Sequence, residues 1–166
     1  MTEKKIVVGL IGKKGCGKDV FYRILDGLES EKNATTVMQV KSSDIIIETL
    51  KKWGLPPTRE NMQKLPVGMK KMFGKGALSN AVYPMILNCN APIIVFDAIR
   101  WPTDIKMLRR FPRSFLVYII ADKKIRYERI KNRGEKPEEK NLSFEQFQEE
   151  EKASTEIMID QLGAVA

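Results

Sequence analysis

The stretch Ile6-Val7-Val8-Gly9-Leu10-Ile11-Gly12-Lys13-Lys14-Gly15-Cys16-Gly17-Lys18-Asp19 decides how the chain folds. Its apolar opening, Ile6 to Ile11, has the length and composition of a buried strand. Beyond it, Val20, Phe21, Ile24, Leu25 and Leu28 recur at the spacing of an amphipathic helix. Between strand and helix lies the pattern Gly-x-x-x-x-Gly-Lys, carried by Gly12, Gly17 and Lys18. Glycines admit positive φ and keep side chains out of a concave turn, so the N–H groups of Lys13, Lys14, Gly15, Cys16 and Gly17 can converge on one anion. The helix adds its own unpaired amides at Lys18, Asp19 and Val20, and its positive dipole end. Lys18 adds a point charge for the outer phosphates. The spacing therefore predicts a phosphate-binding loop; the bland alternative is a glycine-rich turn beside a solvated lysine.

Asp19 stands where such loops normally carry a Ser or Thr hydroxyl for Mg²⁺. A carboxylate can take that ion directly or through water, so Asp19 remains a metal candidate.

Composition narrows the chemistry. The chain has 166 residues, room for one domain with a substantial core. No run is apolar enough to cross a membrane, and Met1 to Lys5 has no signal-peptide pattern, so a cytoplasmic protein without a membrane partner is expected. There is no histidine, which removes histidine-based triads, bases and metal clusters. Cys16 and Cys89 are expected to be neither a disulfide nor a zinc site; Cys16 reads as a target of oxidation or alkylation rather than a nucleophile. The formal charge of +8 suits a phosphate-rich partner. That covers a nucleotide and, as the less favoured reading, nucleic acid.

Further apolar runs continue the pattern of the first. Thr35 to Val40, Ala91 to Asp97 and Ser114 to Ile120 read as strands, separated by helical stretches. Strands alternating with helices predict an α/β fold with a mostly parallel, doubly wound sheet, whose ligands sit at the carboxyl ends of the strands. Gly12 and Asp97 both fall there. Ser42-Ser43-Asp44 should cap a helix that ends near Gly54. Pro66 should kink or interrupt the segment after Thr58, and Pro84 should bend the next one. Asp122 should cap a helix ending at Gly134, and Ser143-Phe144-Glu145-Gln146 forms a capping box for a long final helix.

Phosphoryl transfer requires positioning, charge neutralisation and exclusion of water. Lys18 can hold donor phosphates, while Asp19 and Asp97 can order Mg²⁺. For Asp97 the ordinary alternative is a helix cap. Arg126, Arg129 and Arg133 share one helix face, so Arg129 and Arg133 are candidates to close over the transferring group, with a solvated face as the alternative. Arg100 is a candidate for an acceptor phosphate. Arg59, Gln63 and Lys70 are weaker acceptor candidates, which the wet side of a helix would equally explain.

The Gly12 to Asp19 loop, the segment Asp97-Ala98-Ile99-Arg100-Trp101-Pro102 and the Arg126/Arg129/Arg133 helix together resemble the P-loop nucleoside- and nucleotide-kinase family, the adenylate-kinase-like group. Within it, the Gly-Lys-Asp ending and the segment Arg59 to Gly74 look most similar to deoxynucleoside monophosphate kinases, with dephospho-coenzyme A kinase as a related alternative. The resemblance implies the P-loop NTPase three-layer fold with a five-stranded sheet, residues 41–90 as an acceptor-binding helical region and 122–150 as a lid. It also implies use of ATP and Mg²⁺ on a small phosphorylated acceptor. The family's last strand would lie beyond Ala166, which suggests a shortened chain. A nucleotide-binding module that binds nucleic acid without transferring phosphate is the reading from another class.

Overall fold

The apolar runs pair into a single parallel sheet with strand order β2-β3-β1-β4. The structure is a computed structural model that describes residues 5–30, 37–97, 99–133, 139, 141–152 and 154–166. The side chains of residues 29, 30, 59 and 154–156 fall outside that description. In chain order the elements are β1 (Ile6–Ile11), α1 (Lys18–Ser30), β2 (Val37–Lys41), α2 (Ser42–Lys52), α3 (Arg59–Phe73) and α4 (Ala77–Asn88). They continue as β3 (Ile93–Asp97), α5 (Pro102–Leu108), β4 (Arg113–Tyr118), α6 (Lys123–Arg133), α7 (Phe144–Glu150) and α8 (Ser154–Gly163).

Side-chain alternation along the strands builds two apolar layers. Val8, Leu10, Val37 and Val95 face α1 and pack with Phe21, Tyr22 and Leu25. Val7, Ile11, Val40, Ile94 and Phe96 pack on the other side with α4, α5 and α8, through residues such as Ile86, Leu108 and Ile159. Helices on both faces of a parallel sheet make the three-layer α/β arrangement. The ladder sets the site as well: β3 places Asp97 beside Leu10 of β1 and Lys41 of β2.

Several expectations from the sequence need correction. The α1 stripe splits, with Phe21 and Leu25 packed while Val20, Ile24 and Leu28 remain 47%, 59% and 60% exposed. Pro66 does not interrupt α3, which leaves only the kink of the two outcomes expected there, and Pro84 lies within a continuous α4. A proline inside a helix costs about 3 kcal/mol. Met62, Leu65 and Met69 of α3 pack on Ile46 and Leu50 of α2. Burial of that kind contributes about 2 kcal/mol per large side chain, enough to offset the loss. The long final helix breaks after Glu150 and restarts at Ser154. Among the described residues the sheet has four strands rather than five, with β2 and β4 at its edges.

Local punctuation agrees with the chemistry read from the sequence. Asp122 Oδ1 accepts the Lys124 N–H at 2.8 Å. The Ser143 box is present in both directions, Gln146 N to Ser143 Oγ at 3.2 Å and Ser143 N to Gln146 Oε1 at 2.9 Å. Gly54 takes a φ of +70° just past α2, where a side chain would be strained. Asp44 caps α2 by accepting the Lys41 N–H at 3.2 Å, so Ser42 and Ser43 lie in the first turn rather than before it. Thr35, Thr36 and Gly134 lie outside the described residues.

Candidate functional site

The loop between β1 and α1 has the cradle geometry its glycines allow. Gly15 and Gly17 adopt φ of +78° and +109°. A Cβ on Gly12 would lie 2.8 Å from the Ile119 carbonyl oxygen, and one on Gly15 2.7 Å from that of Arg126, so backbone stands where a side chain would go. Lys18 bends back over the loop, and its Nζ donates to the carbonyls of Gly12 at 2.8 Å and Lys13 at 3.3 Å. Those hydrogen bonds hold a compact cation against the loop backbone. Cys16 is 4% exposed, its sulfur 3.8 Å from Lys18 Nζ. That burial argues against the alkylation expected of it.

Asp19 opens α1 and Asp97 ends β3, and β2 joins them. Gln39 Nε2 donates to Asp97 Oδ2 at 3.1 Å and to Asp19 Oδ1 at 3.4 Å. Lys41 Nζ lies 3.3 Å from Asp19 Oδ1 and 3.9 Å from Asp97 Oδ2. Asp97 is 6% exposed, and its Oδ1 is buried without a hydrogen-bond partner. Burial pushes the Asp97 carboxyl above the usual carboxylate range; Lys18 and Lys41 pull it back, and the charge of Asp19 pushes it up again. Burial also raises Asp19, but Lys41, the Gln39 amide and Lys18 more than reverse it, leaving that carboxyl below its ordinary value.

The three arginines of α6 reach different partners. Arg129 donates from one terminal nitrogen to the carbonyls of Gly15 at 3.4 Å and Cys16 at 3.3 Å, so an exposed guanidinium sits on the loop. Arg126 is 5% exposed and forms a two-pronged pair with Glu151, with a further bond to the Ala121 carbonyl at 3.0 Å. Arg133 donates to Glu139 Oε1 at 3.3 Å, and the same oxygen is 3.2 Å from Lys14 Nζ. Lys13 pairs with Asp160 at 2.7 Å. Glu139 is 1% exposed; burial raises its carboxyl, but Lys14 and Arg133 outweigh that and hold it below the usual range.

On the acceptor side the placement is looser. Arg100 is half-buried just after β3, and its charge acts on both Asp97 and Asp104. Asp104 caps α5 by accepting the backbone N–H of Arg100 at 2.9 Å and of Trp101 at 3.0 Å, which fixes the turn carrying Arg100. Lys70 lies 5.2 Å over the Trp101 ring, which links α3 to that turn. Gln63 is exposed on α3, and the Arg59 side chain lies outside the description.

Sequence reasoning missed Gln39 and Lys41, along with the carboxylates Glu139, Glu151 and Asp160 that bind the loop's flanking cations. Polar side chains at the carboxyl end of an otherwise apolar strand were the available signal for the first pair. For Glu151 and Asp160 there was none, because Arg126 and Lys13 are distant from them in sequence.

The residues present suit a nucleoside triphosphate and Mg²⁺. The positive φ of Gly15 and Gly17 suits a loop whose amides turn toward an anion, and the buried Asp97 Oδ1 has spare acceptor capacity beside Asp19. Among the described residues no cluster of three or more acidic or thiol ligands forms a metal cage. Mg²⁺ does not require one, since it is held by one or two carboxylates together with substrate phosphates and water.

Comparison with known proteins agrees on the fold. The structure aligns with shikimate kinase from Acinetobacter baumannii in complex with shikimate at a TM-score of 0.51 and 14% identity, over 96% of this chain and 81% of that one. The molecule has the three-layer fold of the P-loop kinases. In sequence, it is 31% identical over 129 residues to a UPF0200 protein of Methanoculleus marisnigri, a match covering 77% of this chain and 67% of the relative. The chain belongs to the UPF0200 family. A UPF0200 protein of Methanoregula boonei is 28% identical over 68% of this chain and 59% of its own length, so the match spans about two thirds of these relatives or less. No family model matches the sequence. Among the described residues no helix is long and apolar enough to cross a membrane.

Proposed function

We propose that the chain is an ATP- and Mg²⁺-dependent phosphotransferase that moves the γ-phosphoryl group to a small phosphorylated acceptor, a nucleoside or deoxynucleoside monophosphate in the first instance. The observation that carries this reading is the cluster at the strand ends, where Lys18, Asp19 and Asp97 act electrostatically on one another beside the Gly12–Gly17 cradle. The loop amides and Lys18 bind the donor phosphates, with Lys18 leaving its carbonyl partners to do so. Asp19 and Asp97 hold Mg²⁺. When bound, that ion neutralises charge on the β- and γ-phosphate oxygens.

In the transfer, an acceptor oxygen bonds to the γ-phosphorus as the bond to the β,γ-bridging oxygen breaks, giving ADP and phosphorylated acceptor, with the acceptor's proton passing to solvent or a carboxylate. Arg129, already on the loop, stabilises the charge spread over the transferring group; Arg133 joins it only by leaving Glu139. Arg100 binds the acceptor phosphate, residues 41–90 shape the acceptor side, and residues 122–150 act as the lid.

The test is a product scan by mass spectrometry. Protein is incubated with ATP, Mg²⁺ and a pool of nucleoside monophosphates, deoxynucleoside monophosphates and dephospho-coenzyme A, beside a Lys18→Ala control. A single phosphorylated product that depends on Lys18 is the expected result. ADP formation without product, or product formed equally by the control, contradicts it.

A further inference from the structure

The end of β2 brings to the site two side chains that the loop motif does not contain. Gln39 and Lys41 alternate on one strand, level with Val95 and Asp97 of β3, so both project from the face that α1 covers. Gln39 bridges the two carboxylates through one amide nitrogen. Lys41 sets its ammonium between the same pair, 3.3 Å from Asp19 and 3.9 Å from Asp97. Lys18 and Arg100 also act on Asp97 through their charge, but Lys18 spends its hydrogen bonds on loop carbonyls.

A hydroxyl in place of Asp19 would leave a single carboxylate at this point. Asp19 makes two, and two carboxylates held together repel unless a cation lies between them. We infer that Lys41 is the resident cation of the site, which holds Asp19 and Asp97 together until a divalent ion displaces it. An ammonium and a divalent ion cannot share so small a space, because the repulsion between them is large at that separation. The exchange is sterically open, since the Lys41 side chain is 38% exposed at the end of a flexible stem and can swing into water. The inference rests on the phosphotransferase reading only in giving the pair a metal to bind.

The experiment titrates Mn²⁺ alone, an oxygen-seeking stand-in for Mg²⁺, and reads free Mn²⁺ by electron paramagnetic resonance. Lys41→Met should bind Mn²⁺ on the order of tenfold more tightly than the parent. Lys41→Arg should bind no more tightly than the parent, and adding Asp97→Asn to Lys41→Met should abolish the gain. Equal or weaker binding by Lys41→Met, or a gain that survives Asp97→Asn, overturns the inference. Circular dichroism checks that the variants fold. Should they not, amine labelling of the parent protein decides: Mg²⁺ should speed modification of Lys41, and a rate unaffected by Mg²⁺ overturns the exchange. Absence of phosphoryl transfer by the parent would count against the kinase reading and leave the Mn²⁺ result standing.

Discussion

Two clusters of charge touch the phosphate-binding loop, and they are balanced in opposite senses. At the strand ends, one ammonium, Lys41, serves two carboxylates, and a buried oxygen of Asp97 has no partner. Toward the C-terminal helices, Lys14 and Arg133 share the single carboxylate of Glu139, while Arg126 and Glu151 pair two-pronged. The first sets two carboxylates on one ammonium, with Lys18 and Arg100 acting on Asp97 through their charge, and has capacity for an incoming cation. The second puts two cations on each carboxylate, with Glu139 Oε2 also buried without a hydrogen-bond partner, and holds the flanks of the loop in place. Under the proposed function the strand-end cluster exchanges its cation when a substrate and its metal arrive, and the C-terminal cluster takes part only through Arg133 leaving Glu139.

That contrast can be broken by substitution. The largest effect is expected for Lys18→Ala, which should lower phosphoryl transfer by about 10²- to 10³-fold without altering the fold. Steady-state rates and circular dichroism check it, and normal turnover would remove the strand-end cluster from the chemistry. Next comes Arg126→Met, which leaves the half-buried Glu151 paired with Lys123 at 3.7 Å. It should destabilise the protein by about 3 kcal/mol, because one partner of a buried pair is left behind. In thermal unfolding that is a drop of roughly 6 to 12 °C. A melting point unchanged by the substitution would show that the C-terminal cluster is not structural.

Asp97→Asn should reduce turnover by roughly 10- to 100-fold, with partial recovery at high Mg²⁺. Identical metal dependence would contradict its role. The smallest effect concerns acid. Lys14 and Arg133 depress the Glu139 carboxyl from its ordinary value of 4.5. Its folded form therefore binds a proton less readily than the unfolded chain does, and the stability it contributes is present above that ordinary value. The contribution is lost as pH falls through the lower native value. The stability gap between the parent protein and Glu139→Gln, measured by urea unfolding, should therefore narrow between about pH 6 and pH 3. A gap constant across that range would refute the assignment.

How much of this was visible in the sequence depends on how local each feature is. The loop, the strands and the Asp122 and Ser143 caps are written in consecutive residues; the structure has the caps as read and the strands in the same places with ends shifted by one or two residues. That Pro66 leaves α3 unbroken was not legible, because the local penalty does not carry the packing of Met62, Leu65 and Met69 on α2. The even spacing of Arg126, Arg129 and Arg133 correctly put them on one face. It could not show that Arg126 is consumed by Glu151, a residue beyond the next helix. Lys41 was missed for a related reason: a strand read as ending at Val40 stops one residue short of the position level with Asp97.

The central claim is that the strand-end cluster binds a nucleoside triphosphate with its metal. It is tested most directly by titrating a fluorescent, non-hydrolysable ATP analogue into the parent protein and Lys18→Ala, with and without Mg²⁺. The account predicts saturable binding by the parent, tightened by Mg²⁺, and affinity lower by tenfold or more in Lys18→Ala. Equal affinity in the two proteins, or no binding by the parent in the presence of Mg²⁺, would contradict it.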